Sequence, residues 1–305
     1  MLPTQSEAER QARRRAKFSD AARTAILGDV LADRGLLSRA GSATAALDAL
    51  RTDAGARARL LDEVRALHSQ DPTAELVGHG LRKLREVLVS VRASAGDARA
   101  RELAQETFEL SVQYYVDTEN WPYAASCLEY LAGAAAGDRA AQHVSCLALY
   151  RALMDRDPAA ALDLIRAHCA ARPHLFAACI DAIALSGQPV LWYAAAARLP
   201  APVRAFVLRL PAAQRLQEDA LLVLGRAYNQ LPLEFVERAC FCELGCRLQE
   251  ELARRWAIAT GPAGQKTVYF KRRRELGADR AQGGPPERAS LPGSAGAVSG
   301  PRRGS

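Results

Sequence analysis

The chain has 305 residues, 49% apolar and 25% charged, which is enough to build a sizeable core and is ordinary for a soluble protein. Its 41 Lys and Arg against 34 Asp and Glu give a net charge of +7, which permits contact with nucleic acid or acidic proteins without requiring it. Seven cysteines set into apolar helical patterns argue against a secreted disulfide scaffold, and no apolar run reaches the roughly 18 residues of a membrane span.

Residues 1–20 are charged, carry Arg13-Arg14-Arg15 and lack an apolar stretch behind it, so a disordered basic tail is expected rather than a signal peptide. Residues 21–98 are expected to form an N-terminal helical segment. Two weak helices fall within 21–70, broken near Gly35 and Gly41-Ser42. Asp71-Pro72-Thr73 interrupts the chain, and a helix follows over 74–93, where Leu81, Leu84, Leu88 and Val91 recur at helical spacing.

Residues 99–216 are expected to form a stack of short helices. The first covers 99–116, with Leu103, Thr107, Leu110 and Tyr114 on one side. Ala124, Cys127, Leu128 and Leu131 mark the second, and His143, Leu147, Tyr150 and Met154 the third. Asp157-Pro158 is a strong helix start, with Asp as cap and Pro in the first turn. Arg172-Pro173 and Ser186-Gly187-Gln188-Pro189 punctuate the next two helices, and Pro200, Pro202 and Pro211 mark short helices after them. Helices this short must bury their stripes on neighbours.

Residues 217–274 have the pattern of a winged helix. Three helices are expected, carrying Leu221, Leu224 and Tyr228, then Phe235, Val236 and Cys240, then Leu244, Leu248 and Leu252. Leu231-Pro232 separates the first two. Ala257-Ile258-Ala259 and Thr267-Val268-Tyr269-Phe270 are expected strands of a hairpin around Gly261-Pro262-Ala263-Gly264. Residues 275–305 are rich in Gly, Pro, Ser and Ala and are expected to be disordered. The fold expected is therefore all-α: an irregular helical-repeat, solenoid-like stack capped by a C-terminal winged helix with a two-stranded hairpin.

Metal and nucleophile signals are weak. Cys240-x-Cys242-x-x-x-Cys246 matches no common zinc spacing, and packing explains Cys240. Gly261 to Thr267 superficially resembles a phosphate loop, but Gln265 occupies the place of the glycine before the lysine and a strand follows where a helix is needed. The five histidines do not cluster with acids or nucleophiles. No catalytic residue, metal or cofactor is expected. Basic residues carry more information. Arg254, Arg255, Lys266, Lys271, Arg272, Arg273 and Arg274 would converge on one face of a winged helix and neutralise phosphates. A solvated rim and, for 271–274, a nuclear import signal are the competing readings.

Two stretches carry a family resemblance. Phe108-Glu109-Leu110-Ser111-Val112-Gln113-Tyr114-Tyr115 with Asn120-Trp121-Pro122-Tyr123-Ala124-Ala125-Ser126-Cys127-Leu128 is one, and Ala227-Tyr228-Asn229-Gln230-Leu231-Pro232-Leu233-Glu234-Phe235-Val236 is the other. They resemble the helical entry and the winged-helix entry of the GANP family of mRNA-export and transcription-coupled scaffolds, over roughly residues 100–274. That family belongs to the PCI class, shared by the proteasome lid, the signalosome and a translation-initiation factor. The resemblance implies a non-catalytic scaffold subunit, nuclear with the cytoplasm also open, acting in mRNA processing or export. The small PCI subunit of the proteasome lid is the alternative. It also implies that Phe235, Phe241 and Trp256 meet a second PCI subunit or a small acidic protein, and that the basic rim meets RNA or DNA backbone, with no membrane involved.

Overall fold

The computed structural model describes Leu31 and residues 45–92, 98–134 and 137–271. The expected tails, 1–20 and 275–305, lie outside the described residues, as do Arg272, Arg273 and Arg274. The described chain is mostly helical with one small antiparallel sheet. No helix among the described residues is long and apolar enough to cross a membrane.

Contacts divide the chain into two compact units. The first takes Met1–Leu222 with Phe235–Cys246, and the second takes Val223–Glu234 with Arg247–Ser305. The winged-helix boundary expected at 217 falls inside one continuous helix, Pro211–Ala227.

Helices of the first unit follow one another closely: α1 (Ala45–Thr52), α2 (Ala54–Gln70), α3 (Glu75–Arg92), α4 (Ala98–Asp117), α5 (Trp121–Ala134), α6 (Gly137–Leu153), α7 (Pro158–Cys169), α8 (Pro173–Ala184), α9 (Pro189–Ala197), α10 (Ala201–Arg209) and the start of α11 (Pro211–Ala227). Each of α2 to α9 packs on its neighbour in sequence, and α10 returns to α6. Local chemistry sets several starts. Asp53 accepts a hydrogen bond from Gly55 N at 2.7 Å ahead of α2, and Asp157 accepts one from Ala160 N at 2.9 Å ahead of α7. Pro158, Pro173 and Pro189 occupy first turns, where the missing N–H costs nothing. The prolines that seem to stop helices in the sequence therefore start the next ones.

The helices over 45–92 share a unit with the helices that follow them. Val64 of α2, Leu81, Leu84 and Leu88 of α3, and Ala104 and Leu110 of α4 share one apolar cluster. Buried Arg57 ties α1 to α2 by donating to the carbonyls of Leu50 and Arg51 at 2.9 and 3.1 Å, two of the end carbonyls that α1 leaves open.

After α11 the chain forms β1 (Gln230–Pro232), a helical turn at Leu233–Phe235 that runs into a π-helical segment at Val236–Cys240, then α12 (Leu248–Arg255), β2 (Ala257–Thr260) and β3 (Lys266–Tyr269). The hairpin expected from the sequence is present, and a third strand joins it. The sheet order is β1-β3-β2, with Leu231 opposite Val268 and Ile258 opposite Val268 on the other side. Pro232 is compatible with β1 because β1 is an edge strand, where a missing ladder donor is tolerated. Two further expectations are corrected. Tyr228 lies just beyond α11 and is exposed. Leu244 lies in an irregular loop, because Cys242, Glu243 and Arg247 take left-handed backbone (φ 51°, 61° and 46°), which no helix admits.

In the second unit Trp256 lies against the last turn of α11. A Cβ on Gly225 would stand 2.9 Å from its ring, so the close approach needs glycine. The indole also meets Phe270 edge-on, centroids 4.9 Å apart.

Glycine positions separate packing from propensity. A Cβ on Gly80 of α3 would come within 2.4 Å of Val64 Cγ2 and 2.9 Å of Leu31 Cδ2. Gly133 of α5 faces open space. Gly80→Ala should destabilise by about 1–3 kcal/mol despite its better helix propensity. Gly133→Ala should stabilise by roughly 0.5–1 kcal/mol. Urea unfolding midpoints of the two variants check both signs.

Candidate functional site

Of the basic residues named from the sequence, Arg254, Arg255, Lys266 and Lys271 are described. Arg254 and Arg255 end α12, and both turn onto Glu251: Arg254 donates to it at 2.6 Å, and Arg255 lies at 3.4 Å. The hydrogen bond from Arg254 holds the Glu251 carboxyl below its ordinary value. Part of their charge is therefore answered locally. Lys266 and Lys271 are exposed, and among the described residues neither has an ion-pair partner.

Register places these groups. Ala257 faces Tyr269 and Thr260 faces Lys266. Arg255 precedes Ala257 by two residues and Lys271 follows Tyr269 by two, so both stand at one end of the hairpin. Lys266 stands at the other end, about 16 Å away along the strand. Among the described residues, Lys266 and Lys271 therefore stand at opposite ends of β3. Arg272, Arg273 and Arg274 continue directly from Lys271 in sequence and lie outside the described residues.

The three aromatic residues expected to meet a partner differ in exposure. Phe235 is 47% exposed. Trp256 is half-buried by the packing described above. Phe241 is corrected: it is fully buried, 4.8 Å from the Tyr193 ring of α9, and offers no surface. Sequence reasoning missed this because Tyr193 is remote in the chain. The loop that follows Phe241 is clamped by Gln217. Its amide donates to Cys246 O at 2.8 Å and accepts from Cys246 N at 2.7 Å.

Cys240 is buried beside Val236, Cys242 is half-buried and Cys246 is exposed. Among the described residues no three His, Cys, Asp or Glu side chains gather as a metal site. Gly261 to Gln265 close a turn, with Gly261 N donating to Gln265 O at 2.8 Å and Gly264 at φ 76°. Strand β3 follows it, and no phosphate-loop helix does.

One feature of the first unit has no signal in the sequence. A cleft of about 500 Å³ opens between α4, α5, α6 and α10, with His68 of α2 at one end. Val112, Val116 and Phe206 line its apolar side, with fully buried Leu128 and Leu131 among the residues around it. Two acid-centred groups stand on α4, two turns apart. At the nearer one, Glu109 accepts from Gln105 at 3.0 Å, with His143 Nε2 at 3.5 Å and Arg139 at 3.8 Å. At the farther one, Asp117 is met by His68 Nε2 at 3.2 Å and Arg209 at 2.5 Å. Burial pulls His143 below its ordinary value, and among the described residues its buried Nδ1 has no hydrogen-bond partner. Only a helix-by-helix assembly brings these groups together, so no linear spacing announces them.

No protein-family model matches the chain, and no curated protein matches it in sequence.

Two predictions follow from burial. Phe241→Ala should cost about 3–5 kcal/mol, whereas Phe235→Ala should stay within about 0.5 kcal/mol; chemical denaturation compares them. Burial also pushes the Cys146 thiol up strongly and Cys179 up to about 11, leaving little thiolate at neutral pH. Iodoacetamide should modify Cys246 in the native protein, and Cys127, Cys146, Cys169 and Cys179 only after unfolding, as read by peptide mass spectrometry.

Proposed function

We propose that the chain is a non-catalytic scaffold subunit whose C-terminal elements form a winged helix after a helical repeat, the layout of a PCI domain. The observation that carries this reading is the order of elements at the end of the chain. Helix α11, strand β1, the helical segment 233–240, helix α12 and the β2–β3 hairpin follow one another, and the sheet is ordered β1-β3-β2. A winged helix has that order, its first strand lying between helices and pairing with the last. The strand β1 adds support, because it was not anticipated in the sequence and yet completes the pattern.

Within the PCI class, the resemblance over 108–128 and 227–236 favours a GANP-like subunit in mRNA maturation or export. Nucleic acid would be met through backbone phosphates. Lys271 and the half-neutralised Arg254 and Arg255 stand at the end of the hairpin from which Arg272, Arg273 and Arg274 continue. Such contacts carry charge rather than base information, so binding would be weakly sequence-specific. Of Phe235, Phe241 and Trp256, Phe235 is the most exposed and would be the one to meet a partner subunit.

Reversing Lys271, Arg272, Arg273 and Arg274 to Glu should abolish most binding of single-stranded RNA and reduce the log–log salt slope by about three. Lys266→Glu, at the other end of the hairpin, should change affinity by less than about twofold. Fluorescence anisotropy across a salt series measures both. An unchanged slope in the fourfold variant rejects the nucleic-acid contact. Affinity purification tests the complex: recovery of proteasome lid subunits would replace the mRNA reading with the lid reading.

A further inference from the structure

The cleft between α4, α5, α6 and α10 plays no part in the proposed assembly role, and its chemistry is specific. Its floor and walls are apolar, and its size is within the range of small-molecule sites. The polar groups are placed unevenly in depth. Glu109 and Asp117 are 21% and 22% exposed, while Arg139 and Arg209 are 68% and 50% exposed. The half-buried, fixed charges are thus the carboxylates, and the guanidiniums lie outside them.

The two carboxylates also differ in how fully they are used. Asp117 is occupied by His68 at 3.2 Å and Arg209 at 2.5 Å, and Arg209 is further held by the Val116 carbonyl at 3.2 Å. Glu109 has one hydrogen bond of ordinary length, from the neutral amide of Gln105. Arg139 lies at 3.8 Å and His143 at 3.5 Å, both longer than a charge-assisted hydrogen bond. Glu109 can accept such a bond from a ligand without displacing a tight partner, since Arg139 extends into solvent. An anionic ligand would meet each arginine already beside a carboxylate, Arg139 beside Glu109 and Arg209 on Asp117.

We propose that this cleft binds an amphipathic organic amine, with the ammonium on Glu109 and the apolar body along Val112, Val116 and Phe206 toward Asp117. The span from Glu109 to Asp117 along α4 is about 12 Å, which sets the length of the apolar body. His143, kept neutral by its burial, adds no opposing charge beside the ammonium at neutral pH.

The test uses the full chain with methyl-labelled Val and Leu, titrated with octylamine, octanol and octanoate. Octylamine should shift the Val112 and Val116 methyls saturably and bind about tenfold tighter than octanol, the value of one charge-assisted hydrogen bond. Octanoate should bind more weakly than octanol. Glu109→Gln should bring octylamine to the level of octanol without changing the thermal midpoint by much. Arg139→Gln, a change at the exposed rim, provides a second arm and should tighten octylamine. The proposal is overturned if octanoate binds as tightly as octylamine, if both variants bind octylamine as the wild type does, or if none of the three ligands shifts these methyls saturably.

Discussion

A helix of twelve residues is marginal in water, and α7 and α8 are each that long. Neither can persist unless its apolar face is covered by the helices before and after it. The same holds along the first unit, where each helix from α2 to α9 packs on its neighbour. The requirement explains why so much of the buried surface is alanine, cysteine and leucine. Small residues such as Ala124, Ala148, Ala161 and Cys169 let backbones approach, and the leucines fill what remains. It also explains why Gly80 stands where α3 crosses Val64 of α2.

That requirement decides what the sequence reveals. Helix α3 was legible within one residue at each end, since Leu81, Leu84 and Leu88 form an uninterrupted stripe and Asp71-Pro72 precedes them. Helix α7 was legible because its cap and its first-turn proline lie side by side in the chain. Strand β1 was not, because Leu231-Pro232 carries a helix-start signal and only pairing with β3 makes it a strand. Phe241 was misjudged for the same reason, its burial being decided by Tyr193 rather than by near neighbours. The basic residues were legible as a group but not as an arrangement, since strand register, not composition, separates Lys266 from Lys271.

The cleft was the least legible feature, and its origin is geometric. Residues on α4 at 109, 112, 116 and 117 fall on one side of a helix and look like an ordinary core stripe with two acids at its edges. What leaves that side partly open is the position of α10, which returns to α6 and brings Phe206 and Arg209 to the rim. Arg209 then spans to Asp117 and to the Val116 carbonyl at the last turn of α4. A cation at a helix C-terminus is favoured by the helix dipole as well as by the carboxylate, so this end of the cleft is fixed while the Glu109 end stays loosely held.

The loop between Cys240 and Leu248 shows a different balance. Three of its residues, Cys242, Glu243 and Arg247, occupy left-handed backbone that costs roughly 1–2 kcal/mol each for side chains of this kind. A loop with that much strain persists only where its ends are over-determined. Phe241 anchors one end in the aromatic cluster with Tyr193 and Trp192, and Gln217 satisfies both backbone groups of Cys246 at the other. Because Gln217 is itself buried in α11, losing its amide would remove both hydrogen bonds to the Cys246 backbone and release the loop. The course of residues 241–246 is therefore held by Gln217 of α11 rather than by the loop's own sequence.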